Sequence, residues 1–325
     1  VAQSFSALSG GMLLVRRDCF EQLEGFDATC GVGAEVDFCL RLQKAGSRVL
    51  WTPYVSMMCE GVAGKQDWLG SGETGSSEKL TIDDTSGAIE PLLTRWLADF
   101  AVDPAYNRNL VSVAQPFVQE HRQVLQRPLL DWKPLPRVLV HPADTTGCGY
   151  YRMLEPAGVI SRQGIAETLI GFDLLHPSDR YRLQPDAVVF QRQIYENQVK
   201  RMRETRKYLK PFMVYELDDL ITNVPVKSLH RNDIPADTIR WLREAVGLCD
   251  RFIVSTEPLA QAMRGYNDDI RVMPNRLDSR RWTGLSVARN QGKKPRVGWA
   301  GGVSHTGDLE LILDVVKELA DEVDW

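Results

Sequence analysis

The chain has 325 residues, 43% of them hydrophobic and 25% charged, with a formal net charge of -4. That length exceeds one core of usual size and predicts about two domains. The lack of a basic excess argues against a nucleic-acid partner, which needs cationic surface for phosphates.

No apolar run approaches the roughly 20 residues that span a bilayer, and no charged-then-apolar leader opens the chain. The six cysteines, Cys19, Cys30, Cys39, Cys59, Cys148 and Cys249, contain no CxxC pair. They read as reduced, mostly structural thiols. A cytoplasmic protein is expected, with peripheral contact at the inner membrane left open. The chain opens on Val1 and stops at Trp325 after one strand and one helix, so both ends read as cut.

In chain order, the apolar run Ala7 to Val15, interrupted by Gly10 and Gly11, predicts a strand. The polar helix "RRDCFEQLEGF" follows and stops near Gly25. Glu35 to Lys44 is helical in spacing and closed by Gly46, and "SRVLWTPYV" reads as a strand ended by Pro53. Residues 61–89, rich in Gly, Ser, Thr and Asp, predict a loop or linker. Pro91 to Leu125 is helical in patches and leads into the Pro-rich "RPLLDWKPLPR".

Beyond Arg137 the pattern changes. "RVLVHP", "DAVVFQR", "PFMVYELDD", "RFIVST", "IRVMPN" and "RVGWAGG" are short β-branched runs separated by helix-like segments. Six such runs predict an α/β fold with a Rossmann-like, doubly wound parallel sheet. Ligands of that fold collect at the carboxyl ends of its strands.

Several residues near those ends carry usable chemistry. In "TTGCGYY" the glycines Gly147 and Gly149 can bring backbone amides to a ligand, with Tyr150 and Arg152 beside them. A simple tight turn is the competing reading. In "ELDDL", strand alternation sends Asp218 and Asp219 to opposite sides, so one faces the cleft as a base or sugar ligand, unless both cap the next turn. "WAGGVSHTGDLELILDVVKELA" joins Gly301 and Gly302 to an amphipathic helix whose start can hold a diphosphate, with His305 in the loop. Ser255, Thr256 and Asn275 read first as caps and turn residues. No metal site is assigned, because no His/Cys cluster has ligand spacing.

Glu35 and Asp37 are two apart on one helix and do not share a face. They need separate roles: Glu35 at the helix mouth facing a cleft, and Asp37 on backbone amides or on Arg41 one turn later. The set "SGGMLLVRR", "EGFD", "AEVDFCLR", "KAG" and "WTPY", in that order, resembles the C-terminal part of inverting GT-A glycosyltransferases. The resemblance implies that Glu35 is the base that deprotonates an acceptor hydroxyl and Asp37 the second acid of the box. It also implies a divalent metal only where the GT-A domain is complete.

From Arg137 to Trp325, "TGCGYYRMLEP", "VVFQR", "VYELDDL", "VSTEPLAQAM", "VMPNRLD" and "VGWAGGVSHTGDL" resemble GT-B glycosyltransferases. The resemblance implies four regions: a partial GT-A unit at 1–62, a loop and helical linker at 63–136, a GT-B acceptor half at 137–290, and the start of the donor half at 291–325. It further implies catalytic roles for Glu35 and Asp37, and the chemistry of the strand-end loops adds Asp218 and His305 as catalytic candidates. Donor or acceptor contacts fall on Gly147, Gly149, Tyr150, Arg152, Asp219, Asn275, Gly301 and Gly302. The implied reaction moves a sugar from a nucleotide-sugar to a glycan, as in bacterial surface polysaccharide synthesis, with no tightly bound cofactor. The rival class is a non-catalytic glycan-binding or scaffold protein. A nucleotide-sugar epimerase would need a GxGxxG near the first strand, and "TTGCGYY" is not one.

Overall fold

The computed structural model describes residues 1–8, 11–56, 86–107, 109–111, 118–122, 124, 133–224, 228, 234–286, 292, 294–301 and 306–325. The chain divides into two compact units, Val1–Arg122 and Gln123–Trp325.

In the first unit, β1 (Gln3–Ser4) pairs antiparallel with β2 (Leu50–Trp51). Helices α1 (Arg17–Gln22) and α2 (Ala34–Lys44) flank a 3-10 segment, Ala28–Gly33, and α3 spans Ser86–Ala101. The strand expected over Ala7 to Val15 does not form among the described residues of that run, where Leu14 is 97% exposed. Among the described residues β1 and β2 pair only with each other, so this sheet does not extend to that run. Gly46 closes α2 as expected: at φ 82 it lets Ser47 N–H reach Leu42 O at 3.0 Å, a left-handed stop that glycine adopts without strain. Cys30, Leu40, Leu92 and Trp96 form the small core. The predicted linker at 61–89 lies largely outside the described residues, as does Cys59.

The second unit is α/β. Its sheet holds β3 (Arg137–His141), β4 (Glu167–Ile170), β5 (Ala187–Gln191), β6 (Phe212–Leu217), β7 (Arg251–Val254) and β8 (Ile270–Val272), in the order β4-β3-β5-β6-β7-β8. All five pairings are parallel. Helices α4 (Glu155–Arg162), α5 (Pro177–Leu183), α6 (Glu196–Tyr208), α7 (Thr238–Gly247) and α8 (Glu257–Ala262) alternate with the strands. Leu139, Phe190, Met213, Tyr215 and Phe252 pack against Val199 and Met202 of α6 and Leu242 and Ala245 of α7. Val138, Val140 and Val189 pack on the other face against Met153 and Ala157. Each fully buried large side chain among these, such as Leu139, Phe190 or Met213, contributes about 1.5–3 kcal/mol. Burial on both faces is why these strands read as near-continuous apolar runs.

Five of the six predicted runs are strands of this sheet. The sixth strand is β4, from "AETLI". The described residues of "RVGWAGG" contribute only an isolated bridge, Arg296 to Asp324. Residues 296–301 are exposed, so no second apolar layer holds them as a buried strand. The amphipathic helix expected after them is broken into α10 (Thr306–Leu311) and α11 (Leu313–Glu318), following the short α9 (Ser279–Trp282). Leu309, Leu311, Leu313 and Val315 are exposed. Among the described residues no helix is long and apolar enough to cross a membrane.

From β3 the chain steps to β4 on one side and then crosses to β5 on the other, which makes the β3–β5 boundary the topological switch point. The carboxyl ends of β3 and β5 therefore open onto the crevice where this architecture takes ligands.

Candidate functional site

The loop after β3 is built around Asp144. Its Oδ1 accepts from Thr146 N–H at 3.0 Å and Gly149 N–H at 3.1 Å. These are amides the sequence suggested for a ligand, and an internal carboxylate occupies both. Gly149 is required for a steric reason, since a Cβ there would lie 1.8 Å from Asp144 O. Gly147 is exposed and a Cβ there meets nothing within 4 Å. The loop leads through a short helical turn, Gly147–Gly149, and a π-helical turn, Tyr150–Leu154, into α4.

Gln191, at the end of β5, holds the loop from below: its Oε1 accepts from Ala143 N–H at 2.9 Å and its Nε2 donates to Cys148 O at 3.4 Å. The next residue, Arg192, has φ 48 and donates from Nη2 to Asp144 Oδ2 at 3.0 Å. Burial works against the Arg192 charge, but the carboxylates of Asp218, Asp144 and Asp219 raise its pKa above the ordinary arginine value.

Arg152 projects from the π-helical turn into the interior and is 3% exposed. Its Nε donates to Glu216 Oε1 at 2.7 Å, and its Nη1 donates to Asn275 Oδ1 at 3.1 Å and to Met273 O. It thus ties the end of β6 to the segment after β8. Burial pushes the Glu216 carboxyl up to about 7, against the pull of Arg152. Among the described residues, Arg152 Nη2, Glu216 Oε2 and Asp218 Oδ1 are buried without a hydrogen-bond partner. Native structures leave few such atoms, and each calls for an explanation such as a bound ligand or water.

Asp218 and Asp219 do not face opposite sides. β6 ends at Leu217, so strand alternation stops before them, and one carboxylate oxygen from each lies within 4.8 Å of the other and of Cys148 Sγ. Burial, then a hydrogen bond to Asp218, pushes the Cys148 thiol up to about 12. Ser255, at the end of β7, donates to Asp218 O at 2.6 Å and braces this turn, while Thr256 caps α8 through Leu259 N–H at 3.3 Å.

The structure thus gathers Gly149, Arg152, Asp218 and Asp219 at the carboxyl end of one sheet. Tyr150 is half-buried and accepts from Arg281 Nη1 at 2.6 Å, with that guanidinium 5.0 Å from its ring centroid. Asn275 is exposed and serves Arg152. Gly301 is exposed, with Trp299 filling the space beside it. Gly302 and His305 lie outside the described residues.

Sequence reading did not single out Asp144, Cys148, Gln191 or Arg192. The signal was position: each stands at or just after the end of a predicted central strand.

In the first unit Asp37 is fully buried and has a structural role. It accepts from Arg41 Nε at 2.7 Å, Arg95 Nη1 at 2.5 Å and Trp96 Nε1 at 2.8 Å. Arg41 in turn donates to Leu23 O at 2.6 Å and Gly25 O at 2.7 Å, which locks the "EGFD" turn to α2. Asp27 and Cys30 approach Asp37, but Arg95 bridges both carboxylates and already supplies the positive charge. Glu35 is half-buried and makes no side-chain hydrogen bond or ion pair among the described residues.

No protein-family model matches the chain. A stretch of 118 residues, 36% of this chain, is 25% identical to "Uncharacterized protein y4gI" of Sinorhizobium fredii. The chain spans 12% of that protein's length.

Proposed function

We propose that the second unit is the acceptor half of a GT-B glycosyltransferase, following the tail of a GT-A domain. It would serve the transfer of a sugar from a nucleotide-sugar to a glycan, as in bacterial surface polysaccharide synthesis. One observation carries this reading: carboxylates and a guanidinium converge at the switch-point crevice, and some of their buried polar atoms lack partners. Sugars offer rows of hydroxyls that donate to carboxylates and accept from guanidinium groups, and charge-assisted bonds of this kind are strong. A glycan hydroxyl is a poor nucleophile until its proton is taken, and Asp218 stands in the crevice with one oxygen free of hydrogen bonds. Arg192 supplies charge for a leaving diphosphate. Gly301, Gly302 and His305 would act from the donor side, and Glu35 in the GT-A part.

The test is turnover and binding of a panel of uridine, guanosine and adenosine diphosphate sugars, with and without glycan acceptors. Asp218→Asn is expected to lower turnover at least 100-fold with binding retained, and Arg192→Ala to weaken nucleoside diphosphate binding at least tenfold. Failure of every nucleotide-sugar to bind would overturn the reading. Glycan binding without any nucleotide response would support the scaffold alternative.

A further inference from the structure

We propose that the segment 171–184, which carries α5, is an acid-sensitive latch against the carboxyl end of β3: it is closed while His141 and His176 are neutral and opens when they take up protons. Each imidazole is held in one neutral tautomer by a contact that a second proton disturbs. His141 ends β3, is 1% exposed and stacks on Phe190 with 5.4 Å between ring centroids. Its Nδ1 lies 2.8 Å from Gly171 O. A carbonyl only accepts, so Nδ1 carries the proton and Nε2 the lone pair. That Nε2 is buried with no hydrogen-bond partner among the described residues, so a proton added there finds no acceptor. His176 is the N-cap of α5, its Nδ1 accepting from Ser178 N–H at 3.3 Å. Protonation of Nδ1 removes the lone pair and with it the cap.

The surroundings already carry buried positive charge. Arg180 of α5 is fully buried, and its Nη1 donates to Arg201 O at 2.8 Å. Its Nε and Nη2 have no hydrogen-bond partner among the described residues. Its counter-charge is Glu204, whose Oε2 is 3.6 Å from Arg180 Nη2 and also accepts from Arg201 Nη1 at 2.9 Å, so one carboxylate serves two guanidinium groups. Asp179, the other acid, stands 4.0 Å from Arg182 Nη1. Arg180 acts on His141, and Arg201, Asp179, Glu204 and Arg180 act on His176. Burial, reinforced by Arg180, pushes the His141 pKa down to about 3. Burial, then Arg201, pushes that of His176 down to about 4.

A histidine whose pKa is depressed in the closed form takes a proton more readily in the open one. Closure is therefore strongest above the ordinary imidazole value of 6.5 and is lost as pH falls from there toward about 4. The segment is bounded by Gly171, which follows β4, and by Gln184, a non-glycine residue at φ 46. Leu175 and Leu183, each 2% exposed, hold it against the core at neutral pH. When it leaves, Gly171 O and Arg180 go with it and His141 meets water. His141 leads directly into the Asp144 loop, so the latch adjoins the crevice, yet it does not depend on the glycosyltransferase reading.

The test is amide hydrogen exchange of the full chain at about pH 7.5 and about pH 5, with protection corrected for the intrinsic rate. Protection in 172–184 is expected to fall about 30-fold for each imidazole released, while β5 and β6 keep theirs. His176→Asn retains a capping acceptor, and His141→Asn retains a donor for Gly171 O; neither side chain titrates, and each variant is expected to shrink the fall about 30-fold. Imidazole carbon shifts in the parent chain, a readout that needs no variant, are expected to show both rings neutral at about pH 5.5. Unchanged protection in the parent chain at the lower pH, a loss spread equally over β5 and β6, an undiminished fall in His176→Asn, or rings that titrate at the ordinary value in the folded chain overturns the proposal.

Discussion

Asp37→Ala is expected to destabilise the first unit by about 3–5 kcal/mol, the cost of removing one partner from a buried charge network. The substitution leaves Arg41, Arg95 and Trp96 without their common acceptor and frees the guanidinium that holds Leu23 O and Gly25 O. The wild-type unit should also show an acid transition of definite sign. Burial raises the Asp37 pKa, but hydrogen bonds from Trp96, Arg41 and Arg95 outweigh it and hold the carboxyl below its ordinary value. A depressed folded-state pKa gives stability that is present above the unfolded-state value and lost as pH falls through the folded one. Urea unfolding across the acid range checks both points. Glu35→Gln, which removes no hydrogen bond, should change stability by less than about 0.5 kcal/mol. Equal, small effects of the two substitutions would contradict the structural role given to Asp37.

Gly149→Ala is expected to cost about 3 kcal/mol or more, the upper end for overpacking, or to prevent folding of the second unit. A methyl group 1.8 Å from Asp144 O cannot be relieved by rotating a side chain, because the clash is with backbone. Relief requires the loop to leave β3, which breaks the Asp144 contacts to Thr146, Gly149 and Arg192 together. Gly147→Ala, two residues away and in open space, should be nearly neutral. Denaturant midpoints of the two variants, measured side by side, separate a packing requirement from a general need for flexibility in the loop.

The central strands were legible because burial on both faces imposes continuous apolar runs, and that signal needs no knowledge of neighbours. β4 escaped because its four residues begin with Glu167, a partner of Arg137. "RVGWAGG" misled because an apolar run becomes a buried strand only when something covers it, and Trp299 is 47% exposed. Asp37 with Arg41 was visible as an i,i+4 pair, whereas Arg95 and Trp96 arrive from 58 and 59 residues away and could not be read locally. The same limit hid the Asp144–Arg192 pair, 48 residues apart. Asp218 and Asp219 were chosen for their place at a strand end. Their mutual orientation differs from the alternating one because both residues lie past Leu217, the last residue of β6, where strand alternation no longer applies.

The most direct test of the proposed crevice is amide hydrogen exchange of the chain with and without saturating nucleotide-sugar. Slowed exchange is expected in 143–149, 191–193 and 217–220, at the carboxyl ends of β3, β5 and β6. Protection confined to other segments, or none at ligand concentrations that saturate binding, would contradict it.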